Sequence, residues 1–269
     1  MEDFFTYTFL QRAFLLAFFS GTLCGLMGVF VALWRISLVG MCISHAAFAG
    51  ALGGLWLGFS PLLGGLGASI AAAGFAGALA ERPGFSLDTA MGIIFSVVMS
   101  LAMLALGMLP GARTEGLGLI WGNLLTATWT DISCMVVVTL FVVLFICALF
   151  KEIQAILCHK RAAEACGIPI RPIYYSTLIL MGLVVAFSLK AVGGLLIYSL
   201  IITPAATALQ LTYSLRNMFV YAALFGALAS CLGLYISYFL DIPTGASIVM
   251  VASSMLMISM LLSKKQKMQ

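Results

Sequence analysis

Only two histidines occur in the 269 residues, and His45 stands about ten residues into an apolar run, where an ionisable group is costly. At that depth an imidazole either belongs to a pathway for ions or is satisfied by a hydrogen bond to a neighbouring helix, and both readings stay open. Cys42 precedes His45 by three residues, close to the same helix face, so a thiolate and an imidazole could meet one soft cation. The plainer reading of that cysteine is apolar packing. No pair of acids, no HExxH and no cysteine–histidine constellation accompanies His45, which leaves a membrane enzyme without chemistry to work with.

The second chemical feature is a polar stretch from Lys151 to Arg171. Its basic residues Lys151, His159, Lys160, Arg161 and Arg171 and its acids Glu152 and Glu164 interrupt otherwise apolar sequence. Such a segment can form a short helix but cannot enter lipid, so it sits in water as either a plain loop or a docking surface for a soluble partner. Every acid in the chain can be placed in a loop or at the end of an apolar run. An ion-driven stand-alone secondary transporter or channel, the alternative function, would then lack its usual membrane carboxylate. No GxxxxGK[ST] phosphate loop is present, so any ATP hydrolysis must occur on another chain.

The elements that must carry these residues follow from composition. The chain is 63% hydrophobic and 8% charged, with mean hydropathy +1.17, far from the roughly 25% charged residues of a soluble domain. Runs of about twenty apolar residues indicate an all-α, polytopic transmembrane bundle and argue against an outer-membrane barrel. We read one transmembrane domain over 1–269 with spans near 9–34, 36–58, 61–80, 87–109, 131–150, 172–189, 191–212, 217–240 and 245–262, and a half-buried piece at 117–128. Eight to nine crossings are expected.

With the 151–171 stretch in the cytoplasm, the N-terminus lies outside and the C-terminus inside. Ten of the thirteen Lys and Arg residues then fall on the cytoplasmic side, leaving Arg12, Arg113 and Lys190 outside, as the positive-inside rule favours. The seven cysteines form no CxxC pair and read as free thiols, and the acids at the N-terminus argue against a cleaved signal peptide. Gly50, Gly54 and Gly58, followed by Gly64, Gly65, Gly67, Gly74 and Gly77, predict close helix packing in the second and third spans. Ser86 or Asp88 is expected to cap the fourth, Lys190 to snorkel at the outer interface, and Pro204 to kink or break its helix.

Three stretches resemble the permease subunit of ATP-binding-cassette importers for zinc, manganese and iron. RISLVGMCISHAAFAG (Arg35 to Gly50) is similar to that family's "VGDALSHA" segment, AEACGIP (Ala163 to Pro169) to its cytoplasmic A-x-x-x-G-[IV] element, and KAVGGLLIYSLIITPAATAL (Lys190 to Leu209) to its "KAVG-LLV-ALLI-PAATA" stretch. Weaker matches at Asp88–Ser96, Gly122–Leu125 and Asp241–Val249 follow in the same order.

The resemblance implies a type II importer-like permease that forms a homodimer, or pairs with a second permease, around a central pathway. It also implies a cytoplasmic ABC ATPase dimer carrying the ATP, an extracytoplasmic metal-binding protein, and no cofactor beyond the transported ion. Pathway residues would be Met41, Cys42, Ser44, His45, Thr203 and Pro204, with His45 as a transient metal ligand. Ala162 to Gly167 would form a coupling helix, with Arg161, Ala162, Ala163, Glu164, Gly167, Ile168 and Pro169 at the ATPase and the small Ala163 and Gly167 seated in its groove. The family's aspartate one turn before the histidine is Met41 here. A thioether suits a softer ion than manganese, which puts zinc first among bare divalent cargoes and keeps a metal chelate as an alternative.

Overall fold

A computed structural model describes residues 7–108, 118, 122 and 124–263. The chain runs through α1 (Thr8–Trp34), α2 (Val39–Leu57), α3 (Pro61–Ala80), α4 (Leu87–Met108), a 3-10 turn (Leu124–Thr126), α5 (Trp129–Ala148), α6 (Phe150–Cys158), α7 (Lys160–Ala165), α8 (Ile170–Val192), α9 (Gly194–Leu211), α10 (Leu215–Leu240) and α11 (Thr244–Leu262). Each of the nine expected spans is a helix, because in lipid the backbone must satisfy its own hydrogen bonds. Eight are long and apolar enough to cross a membrane, and α9 is the shorter ninth. This is an all-α, multi-pass membrane protein.

The helix ends follow local chemistry. Ser86 rather than Asp88 caps α4, accepting from the Thr89 N–H at 3.1 Å. Thr128 and Asp131 form a reciprocal capping box at the start of α5. Of the expected half-buried piece, Leu124 and Ala127 are buried, and Gly122, at φ 71°, lies against the backbone of Val192 and Gly193. Trp121, Arg113 and Glu115 lie outside the described residues, as do Lys264, Lys265 and Lys267.

Small residues set the packing. Gly21 of α1 faces the backbone of Gly226 on α10, and Gly25 faces Ala222, so no side chain separates the two helices there. Gly50 and Gly64 join α2 to α3 in the same way, as the glycine pattern predicts, whereas Gly67 and Gly74 face open space and Gly58 is the left-handed cap of α2. Gly40 of α2 rests on Tyr198 of α9, and Gly194 lies near Ser44 and Phe48, so these two helices run antiparallel. By contrast α4 packs mainly on α2 and α3, leaving Ile93, Val97, Leu101, Leu104 and Met108 exposed.

Pro204 does not break its helix. α9 runs through it without interruption, and the chain breaks instead at Gly193, at φ 90° and ψ 147°. Proline inside a membrane helix is tolerated where neighbouring groups take up the freed carbonyl, while the Gly193 backbone lies where only glycine sits without strain.

The bundle has two distinct ends. One carries α6, α7 and the 81–86 turn, and there Ser263 donates to the Gln210 carbonyl at 2.9 Å. At the other, the Arg12 guanidinium lies over the Trp129 ring at 5.7 Å, and Lys190 Nζ donates to Asp131 Oδ2 at 2.7 Å. Lys190 thus ends its helix as expected but is paired rather than solitary.

Candidate functional site

α2 supplies the imidazole and fixes its tautomer. His45 Nδ1 lies 2.9 Å from the Met41 carbonyl one turn earlier. A carbonyl only accepts, so Nδ1 carries the hydrogen and Nε2 keeps its lone pair. Ser44 Oγ donates to the same carbonyl at 3.0 Å. Met41 therefore engages His45 through its backbone. The ring is 9% exposed and stands edge to face with Phe95 of α4, at 5.0 Å and 82°.

Nε2 has no hydrogen-bond partner among the described residues, and no three His, Cys, Asp or Glu side chains come together among them. Cys42 is fully buried. What this stretch offers is one imidazole nitrogen donor, which suits an ion that is bound briefly and passed on.

Met41, Ser44 and His45 share two turns of α2, but Thr203 and Pro204 are not brought to them. With Tyr198 beside Gly40 and the helices antiparallel, five residues along α9 and five along α2 lead in opposite directions. At about 1.5 Å per residue, His45 and Thr203 lie roughly 15 Å apart along the helices. Both α9 residues are buried on the side of the bundle's α6–α7 end.

The expected coupling segment is helical, but over Lys160–Ala165, two residues earlier than Ala162–Gly167. It ends in a Schellman motif: Ile168 N–H reaches the Ala163 carbonyl at 3.1 Å, and Gly167 N–H reaches Glu164 at 3.0 Å, with Gly167 at φ 79°. Gly167 is thus explained by its left-handed backbone. Ala163 is 3% exposed and faces inward with Ile153, so it seats α7 on its own protein. Arg161, Ala162, Glu164 and Pro169 are exposed and Ile168 is half-buried. Beside them is a cavity of about 680 Å³, lined by Trp34, Glu81, Glu164, Arg171 and Tyr175. The Arg171–Glu81 ion pair there is loose, at 3.8 Å.

At the opposite end a cavity of about 410 Å³ opens between α1, α3, α5 and α8, lined by Ser60, Thr130, Asp131, Cys134 and Lys190. Asp131 binds Lys190 and, at 2.6 and 3.0 Å, the hydroxyl and N–H of Thr128. This pairing escapes the sequence reading because 59 residues separate the partners. The only signal was their assignment to one side of the membrane.

Comparison with known proteins points one way. The model of the ABC 3 transport family matches residues 6–263. The manganese transport system membrane protein MntC of Halalkalibacterium halodurans is 31% identical over 98% of this chain and 91% of its own. The chelated iron transport system membrane protein YfeD of Yersinia pestis is 29% identical over 96% and 86%. Among solved structures, PsaBC from Streptococcus pneumoniae in complex with Fab superposes with a TM-score of 0.89, at 32% identity over 99% of this chain and 96% of that one.

Proposed function

We propose, since this chain belongs to the ABC 3 transport family, that it carries manganese(II) inward, ahead of zinc and iron, using energy from a separate ATPase. It is a permease of a metal importer and not itself an enzyme. The observation that carries the transport reading is His45, held by Met41 within a membrane span, with no hydrogen-bond partner on Nε2 among the described residues. The zinc preference rested on soft donors beside His45. Cys42 is fully buried and the bond that Met41 makes to the ring is through its carbonyl, while MntC is named for manganese. Imidazole alone suits zinc better than manganese, so the support for manganese is the likeness to MntC and not this ligand.

The remaining parts follow the same reading. The α6–α7 end faces the cytoplasm, because Arg35, Arg82, Lys151, Arg161, Arg171 and Arg216 gather there against Arg12 and Lys190 at the other end. That orientation puts the N-terminus outside. Arg161, Ala162, Glu164, Ile168 and Pro169 present a surface for the ATPase dimer. A second permease copy along the bare face of α4 would place the pathway between copies, beside His45, and an extracytoplasmic metal-binding protein would deliver the ion at the Asp131 end.

The test is uptake of labelled manganese and labelled zinc by the permease reconstituted with its ATPase and binding protein, with chelated iron as competitor. ATP-dependent accumulation of manganese that zinc does not outcompete supports the reading. Preferential zinc uptake would restore zinc to first place, and blockade by chelated iron alone would favour the chelate.

A further inference from the structure

A long apolar groove lies on the flank formed by α1, α5 and α10, away from His45, with a volume of about 1010 Å³. Phe14 and Phe18 of α1, Val143 and Cys147 of α5, and Leu224 and Ala227 of α10 form its walls. Its one neutral polar wall group, Thr22, already donates its hydroxyl to the Phe18 carbonyl at 2.8 Å. The one charge is Arg216, at the α6–α7 end, exposed and without an ion pair among the described residues. From Arg216 to Cys231 the groove follows fifteen residues of α10, about 22 Å at the helical rise. One hydrocarbon leaflet is about 15 Å deep.

We propose that this groove holds an acyl chain of an anionic phospholipid whose phosphate pairs with Arg216. The walls match hydrocarbon, the groove is long enough to follow an acyl chain through the whole of one leaflet, and the cation sits where a headgroup would lie. A second copy of the chain fits less well. In a two-fold contact the flank meets itself, and neither α1 nor α10 carries an acid; Asp131 of α5 is at the far end and bound to Lys190, and Glu152 of α6, two residues past the wall residue Phe150, has its Oε2 buried within its own subunit. The anion that answers Arg216 therefore comes from the lipid.

The experiment is native mass spectrometry of the full chain released from nanodiscs holding equal amounts of palmitoyl-oleoyl phosphatidylglycerol and phosphatidylcholine. Wild type should retain phosphatidylglycerol over phosphatidylcholine by about fivefold, the advantage of one arginine at the membrane surface. Arg216→Gln should abolish the preference and Arg216→Lys should keep it. Val220→Trp, at an exposed position on the groove, should reduce retention of both lipids. Equal retention of the two headgroups by wild type, or an unchanged preference in Arg216→Gln, overturns the proposal. So does a Cys147–Cys147 cross-link between two copies, which would put protein in the groove.

Discussion

The seam between α1 and α10 and the seam between α2 and α4 are built by opposite means. In the first, Gly21 and Gly226 bring two backbones together, and Phe30 meets Phe219 edge to face at 5.4 Å. In the second, contact is made through side chains such as His45 and Phe95, and Gly92 of α4 has nothing near it. Within lipid there is little hydrophobic force to press helices together, so the first seam holds by backbone fit and the second by the packing of side chains. The difference teaches where change is tolerated: side chains can repack where two touching backbones cannot, so the helix bearing the candidate ligand adjoins the more adaptable seam.

The largest expected effect breaks the close seam. Gly21→Leu should cost about 3 kcal/mol or more, since overpacking a backbone contact leaves nothing flexible to yield. Thermal melting in detergent and the yield of monodisperse protein measure it. A near-native melt would show that the seam can open.

Next, His45→Ala should remove ATP-dependent manganese uptake with little change in melting, and normal uptake would reduce His45 to a packing residue. Gly167→Ala should lose about 1 kcal/mol through its left-handed backbone, even with no partner bound, so bulk at this position is a poor probe of docking. Gly92→Ala sharpens the comparison from the other side. On α4 it should gain about 0.5–1 kcal/mol from helix propensity, and a loss would reveal a contact on that face. The smallest effect belongs to Glu81→Gln, below about 0.5 kcal/mol because its ion pair with Arg171 is exposed.

The helices were legible because hydropathy is local: the fourth span, expected at 87–109, is α4 at Leu87–Met108. Ser86 was legible for the same reason, being a cap three residues from its donor. What failed needed the third dimension. Pro204 marks a break in water but not necessarily in lipid, and the real break at Gly193 is packed against Gly122, seventy-one residues earlier in the chain. Ala163 and Gly167 looked alike as small residues four apart, yet one turns inward and the other closes a helix. His45 was found by its isolation, but nothing in the sequence said that its first partner would be the Met41 carbonyl.

The bond between Asp131 and Lys190 has a mechanical reading. α5 and α8 touch sparsely along their lengths, are joined at one end by α6 and α7, and are pinned at the other by this bond. Together they make a closed four-sided frame. A push on α7 is therefore shared by both long sides. At about 1.5 Å per residue a twenty-residue side is roughly 30 Å long, and a swing of about 10° carries its far corner about 5 Å. That would be nearly a helical turn of travel at the cavity between α1, α3, α5 and α8, at the opposite end of the bundle.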